Sequence, residues 1–425
     1  MARNSAALRR PPVARRQAKW EPVSRLDGAL VSNGARSDSK PVPTFADRAL
    51  LPSAPAGEFV DDATGLLGLV VEHERRRGRG AHTNASGRYE PLARIAFDDG
   101  WRSLDELPPF KTTVQTDATR KIITRNASPD IGFDRSINPY RGCEHGCVYC
   151  YARPTHAYLG LSPGLDFESK LFVKPEAAEL LERELSAPGY EPKVLAIGTN
   201  TDPYQPIERR YKVMRRILEV LERAGHPVGI VTKSALVLRD LDILARMAER
   251  KLAKVALSMT TLDPELARKM EPRAATPMRR LETLRRLAQV GVPTTVMVAP
   301  IIPALNDMEI ERILDAAQAA GVKEAGYVLL RLPLEVRDLF REWLMANYPD
   351  RYRHVFKLIR ETRGGKDYDS TWGKRMKGTG PYAWMIGRRF EMACEKLGLN
   401  ACKFSLSTAH FRAPKPATEQ LSLFE

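Results

Sequence analysis

The sequence predicts an α/β fold built on a parallel sheet, and three observations carry that reading. Apolar, β-branched runs recur from about residue 131: SINPYRG (136–142), KVLAIGTNT (193–201), VGIVTKS (228–234), KVALSMTT (254–261), TTVMVAPII (294–302) and AGYVLLRLP (325–333). Segments with helical spacing lie between them, so strands alternate with helices as in βα units. The runs also finish in small or polar residues, as in GTNTD, TKS, SMTT and APIIP. In βα barrels and in open α/β sheets, ligands bind at the carboxyl ends of the strands.

The elements follow in order. Residues 1–45 are rich in Arg, Ala, Ser and Pro, with nine Lys/Arg against three Asp/Glu, and read as a disordered basic tail. Residues 46–130 form an irregular N-terminal extension. Its run ERRRGRG (Glu74 to Gly80) reads as an exposed Arg/Gly loop, either flexible or touching phosphates. The βα body spans 131–335. Within it, KPEAAELLERELSA (174–187) has a proline and acids early, as a helix start should. ERRYKVMRRILEVLERAG (208–225) is expected to be one helix ending at Gly225, and PMRRLETLRRLAQVG (277–291) repeats the scheme. From 336 to 412 the pattern is helical and basic, with fifteen Lys/Arg against seven Asp/Glu over 341–412. Residues 413–425 read as a flexible, Pro-containing tail ending in QLSLF plus Glu425.

Bulk properties narrow the classes. A hydrophobic fraction of 43% suits a globular protein. The most apolar run, Val292 to Leu305, falls short of the ~18 residues that a membrane helix needs and reads as a strand with its loop. No secretory h-region stands near the N-terminus, so a cytoplasmic, membrane-free protein is expected. Five cysteines, three of them crowded, fit a reducing compartment and a metal role better than a disulfide framework. The net charge of +15 is concentrated in the flanks, and the body between them is nearly neutral. Such flanks suit a polyanion, although solvated surface explains them equally well.

The densest chemistry is in RGCEHGCVYCYAR, Arg141 to Arg153, where Cys143, Cys147 and Cys150 fall within eight residues. Three thiolates in one loop can hold a metal or an iron–sulfur cluster. A zinc site needs a fourth ligand, which His145 or His156 could supply, but no second cysteine pair follows at zinc spacing. A four-iron cluster on three cysteines leaves one iron open for a ligand.

Cys143-x3-Cys147-x2-Cys150, with Tyr149 before the last cysteine and the loop placed after the first strand, resembles the radical S-adenosylmethionine superfamily. PYRGCEHGCVYCYAR, GTNTDPYQPIE and VTKS are similar to its spore photoproduct lyase-like (DNA repair photolyase-like) branch, over about residues 131–335. The resemblance implies a partial TIM-type (β/α)6 barrel, a [4Fe-4S] cluster on the three cysteines, and S-adenosylmethionine on the open iron. It implies reductive cleavage to a 5′-deoxyadenosyl radical, and an electron donor such as flavodoxin or ferredoxin. It also places cofactor contacts at Tyr149, Thr199, Asp202, Lys233, Ser258 and Ala299, with Lys233 suited to the cofactor carboxylate. The lesion lyase uses a cysteine hydrogen donor a few tens of residues past the motif. No cysteine lies between Cys150 and Cys394 here, so that reaction is doubtful, no catalytic donor is assigned, and the roles of Cys394 and Cys402 stay open.

QLSLF resembles the peptide by which bacterial DNA polymerases and repair proteins dock on the sliding clamp, with Gln420, Leu421, Leu423 and Phe424 as the contacts. The segment Arg363 to Trp384 mixes cations, aromatics and glycines in a way that suits a nucleic acid strand. The expectation is therefore a bacterial enzyme, lyase- or transferase-like, acting on nucleic acid and DNA repair-like. Its rivals are the same chemistry on RNA or protein, and a non-enzymatic zinc-stabilised nucleic-acid-binding module.

Overall fold

The structure, a computed structural model, describes residues 71, 73–90 and 109–414. The expected tail 1–45 and the peptide residues Gln420, Leu421, Leu423 and Phe424 lie outside the described residues.

The six expected strands are present in sequence order: β3 (Arg135–Ile137), β6 (Leu195–Ile197), β7 (Val228–Thr232), β8 (Ala253–Ser258), β9 (Thr294–Ile301) and β10 (Glu324–Leu329). They pair in parallel as neighbours, and β2 (Ile123–Arg125) adds antiparallel to β3, giving the order β10-β9-β8-β7-β6-β3-β2. Register explains the two faces. Ile137, Ile197, Ile230 and Val255 align across four strands, are all fully buried, and pack with Leu181, Ile217 and Met247 from the covering helices. The residues one position earlier on β3, β6 and β7, Ser136, Ala196 and Gly229, point to the other face, as does Ala256. The sheet is an open, partial barrel. The segment after residue 363 crosses the gap between its edges: Arg363 donates to the Leu330 carbonyl at 2.6 Å, and Arg375 Nε lies 2.7 Å from Asp130, ahead of β3.

A smaller three-stranded sheet, β1 (Thr113–Thr116), β5 (Lys170–Val173) and β4 (Tyr140–Arg141), holds the start of the cysteine loop. The helices Ala177–Leu185 and Pro277–Gln289 fall within their expected spans, the second capped by Thr276. The run 208–225 is not one helix. It breaks at Lys212, whose φ is 50°, because the buried Glu208 carboxylate turns back to accept from the Val213 and Met214 N–H groups at 3.0 and 3.2 Å.

Past β10 come the helices Val336–Asn347, Tyr352–Glu361, Lys374–Lys377 and Gly380–Leu397. The helical pattern expected to run to 412 stops at Leu397, where Gly398 takes φ 66°. Residues 400–414 instead form an extended strap along the amino ends of the strands. Phe404 N–H donates to Glu324 at 2.6 Å, Ser407 N–H to the Lys251 carbonyl at 2.9 Å, and Arg412 N–H to the Ala224 carbonyl at 2.8 Å. Among the described residues no helix is long and apolar enough to cross a membrane.

Candidate cofactor site at the cysteine loop

The loop from Gly142 to Arg153 leaves β4 at the carboxyl end of the sheet. Gly142 and Gly146 take φ 73° and 67°, and a side chain on either would strike its surroundings: Phe167 O at 2.9 Å from Gly142, Glu168 Oε2 at 2.8 Å from Gly146. Cys143 and Cys147 are buried and Cys150 is half-buried, all as free thiols. The Cys143 N–H is fixed by the Phe167 carbonyl at 2.9 Å, and Glu144 N–H by Gln205 at 2.9 Å.

Beneath the loop lies a buried charged core. The Arg153 guanidinium donates to the carbonyls of Cys147 (2.9 Å), Pro163 (3.0 Å) and Gly164 (2.9 Å), and pairs with the fully buried Glu168. Glu168 also accepts from the N–H groups of Gly80 and Ala81 at 2.9 and 2.8 Å. The Arg/Gly run thus ends against the cysteine loop, with Arg79 buried and bonded to Phe110 O and Thr112. The expected exposure holds for Glu74, Arg77 and Gly78, while Arg75 and Arg76 are half-buried.

On the side of β8 and β9, Glu271 gathers three partners. It accepts from the Tyr149 hydroxyl, lies 2.6 Å from Thr260 Oγ1, and pairs with the buried Arg280 guanidinium. Arg280 in turn donates to the Ser258 carbonyl at 3.0 Å, and Thr260 Oγ1 lies 3.2 Å from the Ala299 carbonyl. Tyr149, Ser258 and Ala299 are therefore brought together by one network.

Lys233 follows β7. Its ammonium sits 5.8 Å from the Tyr149 ring centre and has no ion-pair partner among the described residues. Its own N–H donates to Asp202 at 2.7 Å, and Asp202 also accepts from Thr232 Oγ1 at 2.7 Å and Tyr204 N–H at 2.9 Å. His145 Nδ1 lies 3.3 Å from the same carboxylate. Burial would raise the Asp202 carboxyl, but the His145 charge and these bonds outweigh it and hold it at about 2. The structure spends this carboxylate on fixing Lys233 and the loop after β6. Thr199, at the end of β6, accepts the Tyr151 hydroxyl on its carbonyl, and the Arg331 guanidinium stacks 4.7 Å from the Tyr151 ring centre.

The residues fit a cluster that takes three thiolates from the protein and a fourth ligand from elsewhere. Each candidate histidine has one ring nitrogen engaged by the protein, and the other nitrogen of His156, Nδ1, is buried without a hydrogen-bond partner. His145 is turned to Asp202, and His156 has Nε2 on the Lys170 carbonyl at 2.9 Å with its ring packed edge-on to Phe167 and Phe172. Among the described residues no three His, Cys, Asp or Glu groups converge as a single ion requires. Burial first, then neighbouring negative charge, pushes the Cys143 and Cys147 thiols well up, so these two become thiolates only with a metal bound.

Sequence reasoning found the cysteines and the strand ends but passed over Glu168, Glu271 and Arg280. Arg280 had a signal: with Pro277, Leu284 and Leu287 it falls on the buried stripe of its helix, a cation where an apolar residue belongs. Cys394 packs in the apolar cluster of helix Gly380–Leu397, and Cys402 is exposed just after that helix, so neither joins the loop.

The radical SAM superfamily profile matches residues 137–317. A protein of Mycobacterium tuberculosis described as uncharacterized is 38% identical over 253 residues, 58% of this chain and 74% of its own length. A radical SAM Nalpha-GlyT isomerase of Pseudomonas phage M6 is 26% identical over 199 residues, 44% of this chain and 39% of the isomerase. Among solved structures, a spore photoproduct lyase complexed with dinucleoside spore photoproduct superposes with a TM-score of 0.50 at 16% identity, covering 67% of this chain and 80% of the lyase. That likeness is one of fold.

Proposed function

The chain belongs to the radical SAM superfamily, and from that premise we propose that it acts on nucleic acid, DNA first, in a repair-like reaction. It is an enzyme whose cofactors are a [4Fe-4S] cluster and S-adenosylmethionine. When bound, these supply a 5′-deoxyadenosyl radical that takes hydrogen from the substrate. The protein's own part is to hold and orient. Cys143, Cys147 and Cys150 hold the cluster. The Lys233 ammonium pairs with the methionyl carboxylate, and Asp202 holds Lys233 in place. Tyr149, Thr199, Ser258 and Ala299 line the remainder of the cofactor, with Tyr149 fixed by the Glu271–Arg280 pair.

The observation that carries the substrate class is the segment crossing the open side of the barrel. Trp372 and Trp384 are 59% and 72% exposed there. Tyr327, Lys377, Trp384 and Arg388 line a cavity of about 430 Å³ beside Gly378, Gly380 and Gly387. Exposed indole faces among cations offer stacking for bases and neutralisation for phosphates. Since Cys394 is buried away from the site, the reading favours a reaction other than that of the lesion lyase. The C-terminal QLSLF remains a clamp-docking peptide in this proposal.

The test is isotopic. Anaerobically reconstituted enzyme is given S-adenosylmethionine, dithionite and perdeuterated DNA, RNA or peptide. Deuterium in 5′-deoxyadenosine from DNA is expected. Transfer from RNA or peptide with none from DNA would replace the substrate assignment.

A further inference from the structure

The cysteine loop is shut on most sides. Gly80 and Ala81 with Glu168 and Arg153 seal one flank, and Tyr149 with Glu271 and Arg280 seals another. The barrel mouth is required by the substrate. One further approach is open. A cavity of about 280 Å³ reaches His145, which sits between Cys143 and Cys147, and is lined by Tyr204, Ser234, Arg209, Arg273 and Arg279 among others, with no Asp or Glu in its lining. Arg273 is held to the loop, its N–H on the His145 carbonyl at 3.3 Å and its guanidinium 3.2 Å from Glu144. Arg209 and Arg279 are exposed, as are the adjacent Arg210 and Lys212, and none of these four has an ion-pair partner among the described residues. This is a concentration of uncompensated positive charge on a body that is otherwise nearly neutral.

We propose that this face, centred on Arg209 and Arg279 around the opening to His145, is the docking surface for a small acidic one-electron carrier protein. The proposal rests on the cluster assignment above. Electron transfer weakens steeply with distance, so a carrier must dock close to the cysteine loop yet clear of the barrel mouth, and the opening to His145 offers such an approach. A cationic rim steers an acidic carrier to that point and releases it readily, as transient redox partners require. In each encounter the reduced carrier loses one electron and the cluster gains one; no atom or proton changes hands. No residue lining this cavity belongs to the segment Arg363 to Trp384.

The experiment compares the full-length holoenzyme with its Arg209→Glu/Arg279→Glu form, using a purified bacterial flavodoxin as the probe. Flavodoxin binding is measured by calorimetry at low and high salt. S-adenosylmethionine cleavage is driven either by reduced flavodoxin or by dithionite. The expected result is roughly a tenfold or greater loss of flavodoxin affinity and of flavodoxin-driven rate, a weaker salt dependence, and a dithionite-driven rate within about twofold of the parent. Unchanged flavodoxin affinity overturns the proposal. So does a loss of DNA affinity with flavodoxin binding intact, which would make the face a nucleic-acid surface. If the parent cleaves nothing with dithionite, the cluster reading fails by itself, and the binding comparison still decides the surface.

Discussion

Replacing Gly80 by alanine tests whether the N-terminal segment is part of the cofactor site. A Cβ at Gly80 would stand 1.8 Å from the Gly146 carbonyl oxygen and 3.0 Å from its carbon, both backbone atoms between Cys143 and Cys147. Neither can rotate away, so the two segments must separate by roughly 1 Å, enough to take the 2.9 and 2.8 Å bonds from Gly80 and Ala81 N–H to Glu168 out of bonding range. Overpacking costs about 1–3 kcal/mol and a lost bond to a buried carboxylate about 1.5–3 kcal/mol. Because the two losses share one displacement they do not simply add, and about 3–5 kcal/mol is expected. Gly132→Ala is the control, since nothing lies within 4 Å of its Cβ position. Thermal unfolding and iron per chain after anaerobic reconstitution are the assays. Gly80→Ala should melt several degrees lower and retain less iron, and the control should do neither. Equal melting and iron in the two variants would refute the packing argument.

Three further outcomes follow from the same geometry. Glu271→Ala leaves the Arg280 guanidinium buried without its carboxylate and should cost about 3–5 kcal/mol by melting, whereas Tyr149→Phe should cost about 1 kcal/mol and keep its iron; equal effects would contradict the network. Lys233→Met should leave iron content unchanged and weaken S-adenosylmethionine binding about tenfold or more, measured by calorimetry, with unchanged affinity as the contrary result. Burial pushes the Glu342 carboxyl up to about 7, against the bond from Thr83 and with help from the Asp338 charge. Its folded value exceeds the unfolded one near 4.5, so the native state keeps the proton longer and stability falls as pH rises from about 4.5 to 7. Glu342→Gln should therefore raise the melting temperature at pH 8, by at most about 3 kcal/mol of stability, and leave it unchanged at pH 4, where a gain would reverse the sign.

The features readable in the sequence are those with local signals. Six strands show as β-branched runs, and the cysteine loop shows as spacing, because both are encoded within about ten residues. The features that were not readable depend on distant partners. Gly80 and Gly146 meet across 66 positions, and Glu168 reads as an ordinary surface acid until Arg153 is folded over it. The strap 400–414 has no ladder of its own, and its backbone is satisfied by turns before β7, β8 and β10, so nothing periodic marks it. The break at Lys212 reflects Glu208, buried with the Tyr140 hydroxyl and Arg239, which caps a helix from inside the fold.

The central claim is that Cys143, Cys147 and Cys150 hold a four-iron cluster that opens S-adenosylmethionine. The most direct measurement is iron and acid-labile sulfide in anaerobically purified protein, together with 5′-deoxyadenosine released after adding dithionite and S-adenosylmethionine. About four irons and four sulfides per chain with release of 5′-deoxyadenosine, both lost in Cys147→Ala, is the predicted result. Stoichiometric zinc, no sulfide and no release would contradict it and leave the loop as scaffolding.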